Sequence, residues 1–324
     1  MSDRLIVVGV CTFKRPSLRR TLLSLTDQVL PAGTSMRIVV ADNDDTPSAK
    51  PLVSAVSHET GQEIVYVHCP ARNISVARNG VLNAARARDA NFVAFIDDDE
   101  WVGSDWLAKL LSSLDKAGAA GVFGPVRGVY GELAPSWMRN GGFHDMTPEI
   151  DAAGHVRTGH TCNVLLALGH PAFAERQFDL GFGRSGGEDT EFFATAKAAG
   201  AYLAPAPLAV AFEDVPSDRA QLRWLVQRRF RMGQTHGELL RRAAHPARRA
   251  ALALIAAGKM AACVALMLPV LPWVERRNRA LLRFSLHAGA VSRLLGMRGI
   301  SLYGVESVPS RAKLLTRHKD RSAN

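Results

Sequence analysis

Cysteine is scarce in this sequence. Its four cysteines (Cys11, Cys69, Cys162, Cys263) are scattered over 324 residues with no CxxC pair and no Cys/His cluster. That excludes a disulfide framework and a structural zinc site, and it points to a reducing compartment. The loop after the first strand-like run, Cys11–Pro16, contains no GxGxxG, so the dinucleotide fingerprint is missing there. Met-Ser-Asp-Arg leads straight into a strand pattern, and no secretory leader is expected. Internal repeats and low-complexity tracts are lacking too. Acidic residues nearly vanish from the last third: residues 1–214 carry 19 Lys/Arg and 25 Asp/Glu, whereas residues 215–324 carry 21 and 5. The boundary near Val215 separates an acidic body from a basic tail of the kind that suits nucleic acid or an anionic membrane surface. With 47% hydrophobic and 22% charged residues, the chain has the composition of a folded protein with one large core.

What the sequence does have is a set of unbroken apolar runs that end in polar or acidic residues. Phe92-Val93-Ala94-Phe95-Ile96 is followed at once by Asp97-Asp98-Asp99-Glu100. A run without alternation reads as a strand buried on both faces of an α/β sheet. Four carboxylates with no base among them repel one another unless a cation sits there, and hard oxygen ligands suit Mg²⁺ or Mn²⁺. Open α/β sheets bind ligands at their strands' carboxyl ends, which favours a functional site over a simple acidic surface loop. Leu5–Val10 is a second such run, ending in Cys11-Thr12-Phe13-Lys14-Arg15-Pro16. Leu18, Leu22, Leu25 and Val29 then recur at helical spacing after a Pro-Ser start. Met36–Ala41 predicts a third strand, ending in Asp42-Asn43-Asp44-Asp45. Strand, helix, strand with polar strand ends is the first half of a nucleotide-binding sheet.

Ile64–His68 predicts a short strand. In Arg72-Asn73-Ile74-Ser75-Val76-Ala77-Arg78-Asn79-Gly80, Ser75 is the expected N-cap, placing Arg78 in the first turn of a helix to about Arg88. An arginine so early fits a bound phosphate or a paired carboxylate, with a solvated Arg–acid pair as the alternative. A helix over 104–116, a strand over 118–131, a mobile Gly/Pro-rich flap over 131–160 and a strand over 164–168 follow. The second chemical focus is Phe182-Gly183-Arg184-Ser185-Gly186-Gly187-Glu188-Asp189-Thr190-Glu191. Glycines open the backbone to a ligand. A helix starting at these acids and closing at Gly200 keeps Asp189 ionised, as a general base requires. Acids in a first helical turn are also the ordinary dipole-complementing choice.

A helix from about Ser217 carries Gln221-Leu222-Arg223-Trp224 and Arg228-Arg229-Phe230-Arg231. Three arginines in four residues suit phosphate neutralisation. Residues 250–271 hold one charge, Lys259, and are long enough to cross a bilayer, which takes about 20 residues. Gly258, Pro269 and arginines on both sides (Arg248 and Arg249 before, Arg276 and Arg277 after) fit a re-entrant or in-plane segment better than a simple span. Ala280–Met297 is a second apolar stretch bearing arginine, and membrane association is favoured over a soluble helical hairpin.

This ordered set resembles a family 2 glycosyltransferase with the GT-A fold. The carriers are Thr12-Phe13-Lys14-Arg15-Pro16, Asp42, Ala77-Arg78-Asn79-Gly80, Asp97-Asp98-Asp99 and Gly187-Glu188-Asp189, in order over residues 4–240. Within the family the chain is most similar to bacterial exopolysaccharide glycosyltransferases of the succinoglycan type. The resemblance implies an α/β GT-A domain over 1–215, that is, a Rossmann-like nucleotide-binding mixed sheet flanked by helices. A helical acceptor-side segment over 216–245 and a basic, apolar, membrane-associating helical extension over 246–324 complete the expected organisation.

The implied activity is transfer, with inversion, of one sugar from a nucleotide sugar such as a UDP-hexose to a hydroxyl of a polyprenyl-diphosphate-linked glycan. The expected location is the cytoplasmic face of the bacterial inner membrane, with residues 246–300 peripheral or shallowly inserted. By the same resemblance, Asp42 hydrogen-bonds uracil with Thr12 and Arg15 nearby, and Arg78 contacts the nucleotide. Asp97 and Asp98 hold the ribose or sugar, and Asp99 coordinates Mg²⁺ or Mn²⁺. Asp189 is the base with Glu188 assisting acceptor binding. Apart from the resemblance, the basic, apolar C-terminus suits a lipid-diphosphate acceptor, with Asn163, Arg228, Arg229 and His236 expected to serve the acceptor and its diphosphate. The Arg/Trp spacing in 221–224 departs from the Gln-x-x-Arg-Trp motif of processive synthases, so transfer of a single sugar is expected. Two other readings remain. A sugar nucleotidyltransferase calls for a Gly-rich loop that Cys11–Pro16 lacks. A non-catalytic polyanion-binding protein has the basic tail but no interleaved aromatics or nucleic-acid motif, so no nucleic-acid partner is expected.

Overall fold

The structure, a computed structural model, describes residues 4–184 and 186–300. Ser185 of the glycine-rich loop and residues 301–324 of the expected C-terminal extension lie outside the described residues.

The predicted apolar runs form the middle of one sheet. Strand β1 (Arg4–Thr12) buries Ile6, Val7, Val8 and Val10 completely, because the layers on both sides of the sheet cover it. Helix α1 (Leu18–Thr26) turns Leu18, Leu22 and Leu25 inward at its helical period. There follow β2 (Thr34–Asp42), α2 (Lys50–Thr60), β3 (Ile64–His68), α3 (Ile74–Arg86) and β4 (Phe92–Asp97). Next come β5 (Glu100–Val102), α4 (Trp106–Ala117), β6 (Gly121–Phe123), β7 (Val126–Tyr130), α5 (Ser136–Gly141) and β8 (Asn163–Ala167). The body closes with α6 (Glu188–Ala198), β9 (Leu203–Pro205) and β10 (Ala211–Val215).

The large sheet has the order β3-β2-β1-β4-β8-β6-β9. Its β3, β2, β1 and β4 run parallel, and β8 runs antiparallel to both its neighbours. The chain builds outward from β1 to β3, then returns to lay β4 on the other side of β1. That reversal leaves a crevice at the carboxyl ends of β1 and β4, the usual ligand position of an open α/β sheet. Register lines the ends up: Thr12 is opposite Asp42, and Cys11 is opposite Asp97. A second sheet, β5-β10-β7, packs at the same end.

Several expectations need correction. The N-cap of α3 is Asn73, not Ser75: the Asn73 side chain accepts from the Ser75 N–H at 3.0 Å. Arg78 therefore lies in the second turn. The single strand expected over 118–131 is broken, with β6 in the large sheet and β7 in the small one. Gly124 turns this corner where a Cβ would come within 2.1 Å of the Ala209 carbonyl oxygen, and Pro125 has no N–H for a ladder. The expected flap over 131–160 contains α5, whose Met138 is wholly buried, and two bridges, Val126–Met146 and Ile150–Val156. Three long helices end the described chain: α7 (Leu222–Ala243), α8 (Pro246–Met267) and α9 (Val274–Leu294). Thus α7 starts later than the sequence suggested, and residues 250–267 lie within one helix. Helix α8 rests on α9 through small residues, with Ala253, Ala256 and Cys263 buried, and turns Leu254, Ile255, Val264 and Leu266 outward.

Candidate active site

The crevice between β1 and β4 is lined by acids at close quarters. Thr12 Oγ1 donates to Asp98 Oδ2 at 2.7 Å, which holds the Asp98 carboxylate under the β1 end. The Asp97 N–H donates to Glu100 Oε2 at 3.0 Å, closing a tight turn. Glu100 in turn lies directly across from Glu213 in the β5–β10 pair. Burial, with repulsion from neighbouring acids, pushes Asp97 up to about 6 and Asp98 up to about 7. The same causes raise Glu100 and Glu213.

Asp99 points outward from this cluster, and two guanidiniums flank it. Arg15 Nη1 and Arg219 Nη1 each stand 3.6 Å from Asp99 Oδ2, and Arg219 also meets Glu213 at 2.8 Å. A cavity of about 270 Å³ opens here, lined among others by Arg15, Arg20, Asp99, Trp101 and Arg219. Among the described residues no three His, Cys, Asp or Glu side chains converge as a preformed metal cage. The donor set fits a hard divalent cation nonetheless. Asp97, Asp99 and Glu213 are mutually repelling oxygen donors, and the arginines beside Asp99 mark where positive charge is favoured.

On the far side of the crevice stands the start of α6. Gly187, with φ of 97°, turns the chain into the helix where a Cβ would strike Thr235 at 2.3 Å. Asp189 sits in the first turn, its Oδ1 accepting from the Thr190 N–H at 2.7 Å and its Oδ2 facing His160 Nδ1 at 3.4 Å. Burial disfavours its charge, but the His160 contact, Arg78 and the Thr190 N–H prevail and hold it at about 2. Asp189 is thus ionised opposite the acidic strand end, an arrangement suited to drawing a proton from a hydroxyl in the crevice.

Residues 7–167 match the model of Glycosyl transferase family 2. Over 305 residues, 94% of this chain and 97% of the other, the sequence is 47% identical to the succinoglycan biosynthesis protein ExoM of Rhizobium meliloti (strain 1021). The chain belongs to glycosyl transferase family 2. Membership sets aside the nucleotidyltransferase and polyanion-binding readings. The GT-A fold is borne out by solved structures. One is the mannosyltransferase PcManGT from Pyrobaculum calidifontis in complex with GDP-Man and Mn²⁺, with a TM-score of 0.55 at 16% identity, covering 100% of this chain and 82% of that one. Another is S. aureus TarS 1-349 in complex with UDP-GlcNAc, with a TM-score of 0.51 at 15% identity, covering 94% of this chain and 100% of that one. Of a longer TarS chain, this chain covers 55%.

In this family 2 glycosyltransferase the expected site residues fall into two groups. Thr12, Arg15, Asp97, Asp98, Asp99 and Asp189 border the crevice. Arg228 leans over the Trp224 ring at 5.3 Å and acts electrostatically on both His160 and Glu213, so it faces the crevice from α7. Other residues are placed elsewhere. Asp42 is fully buried and accepts from Ala49 N–H, Asp44 N–H and Tyr66 O–H at 2.7–3.1 Å, which closes the turn after β2. Arg78 and Glu188 form a buried ion pair with each other. Asn163 is 1% exposed; it accepts from Trp106 Nε1 at 2.9 Å and donates to the carbonyls of Pro125 and Ala209. Its amide braces the corner at Gly124.

Successive helical residues diverge by about 100°, which separates Arg228 from Arg229 and Thr235 from His236. Arg229 turns toward Glu149 and Arg279, whereas Thr235 abuts Gly187 and leaves His236 outside, beside Lys259. Three site residues escaped the sequence reading: His160, Glu213 and Arg219. Glu213 and Arg219 flank the acid–base boundary at Val215, which was a visible signal. His160 follows Gly159, whose packing role only the fold discloses.

Proposed function

We propose that the protein is a divalent-metal-dependent, inverting hexosyltransferase of exopolysaccharide or cell-surface polysaccharide synthesis. Its donor is a UDP-sugar, and its acceptor is a hydroxyl of a polyprenyl-diphosphate-linked glycan. The observation that carries this reading is the ionised Asp189 held across a crevice from the Asp97–Asp99 strand end. The acceptor oxygen attacks the anomeric carbon from the side of α6, its proton passes to Asp189 Oδ2, and the bond to the leaving diphosphate breaks on the opposite side. One displacement of that kind inverts the anomeric centre.

Asp99, with Asp97, would hold Mg²⁺ or Mn²⁺, which neutralises charge on the departing diphosphate. Arg15 and Arg219, which stand beside Asp99, would pair with the phosphate oxygens of the donor. Support for a nucleotide-sugar donor comes from the UDP-GlcNAc and GDP-Man bound to TarS and PcManGT. Support for a glycan acceptor comes from the relative in succinoglycan biosynthesis.

Residues 1–215 form the catalytic unit in this reading, 216–245 the acceptor side, and 246–300 the seat on the cytoplasmic face of the inner membrane. The segment Pro246–Val270 is 25 residues long, and its most apolar stretch has a mean hydropathy of 2.1 with only 17% of it buried. Its exposed Leu254, Ile255 and Leu266 suit lipid, and Arg248, Arg276 and Arg283 around it suit anionic headgroups. The test is transfer of labelled sugar from a panel of UDP-sugars to a membrane extract. Asp189→Asn abolishes transfer and spares UDP binding, and the product's anomeric configuration is opposite to the donor's. Transfer by Asp189→Asn at the wild-type rate would defeat the reading.

A further inference from the structure

Asp189 is one of three residues that α6 turns toward the same stretch of chain. Asp189, Phe193 and Lys197 recur every fourth residue and so share one helical face. Lys197 Nζ donates to the carbonyl oxygens of Val156 at 2.7 Å and Arg157 at 3.3 Å. Phe193 lies so near Gly159 that a Cβ there would come within 2.4 Å of its ring and within 2.7 Å of Phe123. From the other side, the Val156 N–H is tied to the Leu203 carbonyl at 2.9 Å. The segment 156–159 is therefore pinned along α6, and the next residue, His160, is delivered to Asp189 Oδ2. Oδ1 is already committed to the Thr190 N–H, so the two carboxylate oxygens have separate partners and His160 meets Oδ2.

We propose that His160 is a positioning residue for the Asp189 carboxylate, orienting Oδ2 through Nδ1–H and weakening it as a base when Nε2 takes up a proton. The proposal rests on Asp189 being the base of the transfer reaction. The charged groups that face His160 are Asp189 from α6, Arg228 from α7 and Arg78 from α3. Burial and both arginines disfavour the imidazolium, and the Asp189 contact outweighs them, so the His160 pKa lies above its usual 6.5. Below that midpoint the carboxylate faces a fixed positive charge and is a poor proton acceptor. Above it the charge is gone and the acceptor proton transfers more readily. His160 then contributes to the acidic limb of the transfer rate beside Asp97 and Asp98, although the group that receives the proton is Asp189.

The test follows the His160 Cε1–H resonance of the full chain through a pH titration, with His160→Gln identifying the signal. The expected midpoint is above 6.5 in wild type, falling by about one unit in Asp189→Asn because the opposite charge is removed. An unchanged midpoint in Asp189→Asn overturns the proposal. In the transfer assay His160→Gln moves the acidic limb away from its wild-type position while its affinity for UDP with Mn²⁺ stays within about twofold of wild type. Retention of the wild-type limb by a His160→Gln protein that still binds UDP also overturns it. Activity in Asp189→Asn would instead sink the underlying assignment of the base, so the two failures are distinguishable.

Discussion

Arg78 of α3 and Glu188 of α6 are ion-paired inside the protein, with their side chains 8% and 4% exposed. Burial disfavours the Arg78 charge, but the carboxylates of Glu188, Asp189 and Asp97 outweigh it and keep the guanidinium protonated. The pair ties the helix after β3 to the helix that carries Asp189, so it fixes the distance of Asp189 from the acidic strand end. Removing one partner strands the other as a buried, unpaired charge. Arg78→Ala is expected to lose about 3–5 kcal/mol of stability, read by urea unfolding. A loss below that range, with activity gone, would assign Arg78 to the ligand instead of the fold.

Asn163 separates a structural from an acceptor-binding role in the same manner. Asn163→Ala leaves the Trp106 indole N–H and the Pro125 and Ala209 carbonyls without their partner. The expected loss is about 1–3 kcal/mol for each group left unsatisfied. Thermal unfolding checks it, and UDP affinity of the protein that remains folded is expected to match wild type.

The α7–α9 crossing is made by glycines. A Cβ on Gly233 would lie 1.9 Å from the Leu286 carbonyl oxygen, and one on Gly289 would lie 1.9 Å from that of Phe230. Gly233→Ala must push two backbones apart and is expected to cost about 1–3 kcal/mol. Gly258 of α8 has open space around it, so Gly258→Ala is expected to stabilise by up to about 1 kcal/mol through helix propensity alone. Paired melting curves check both signs.

Glu238 links α7 to α9, meeting Arg241 and Arg242 on its own helix and Arg293 across the gap. The Arg241 hydrogen bond, offset by some burial and reinforced by Arg242 and Arg293, depresses it from 4.5 to about 2. A depressed carboxylate contributes stability that is fully present above its unfolded pKa and is lost as pH falls through the folded one. Between pH 4.5 and about 2, wild type is therefore expected to lose more stability than Glu238→Gln. Melting temperatures of the two proteins across that window, converging as pH falls, are the check.

Much of this molecule is legible in its residues, and the rest is hidden for identifiable reasons. The strands β1, β2 and β4 declare themselves because strands buried on both faces read as unbroken apolar runs, and their acidic ends mark the crevice. The small sheet does not, since Glu100–Val102 and Ala211–Val215 are short and pair across more than a hundred residues. Asn163 and Asp42 carry polar side chains at strand boundaries just as ligand-binding residues do. Only the packing shows that their hydrogen bonds are satisfied within the chain. Thr235, not its neighbour His236, abuts Gly187, because successive helical residues diverge by about 100°. His160 gave no signal because its place depends on Gly159 packing between Phe193 and Phe123.

The central claim is that the Asp97–Asp99 strand end, with Arg15 and Arg219, is a metal-assisted site for a nucleoside diphosphate. The most direct measurement is calorimetric titration of UDP into wild type and Asp99→Ala, each with and without Mn²⁺. The account predicts binding that requires Mn²⁺ in wild type and is lost in Asp99→Ala. Binding of equal strength in both proteins, indifferent to Mn²⁺, would contradict it.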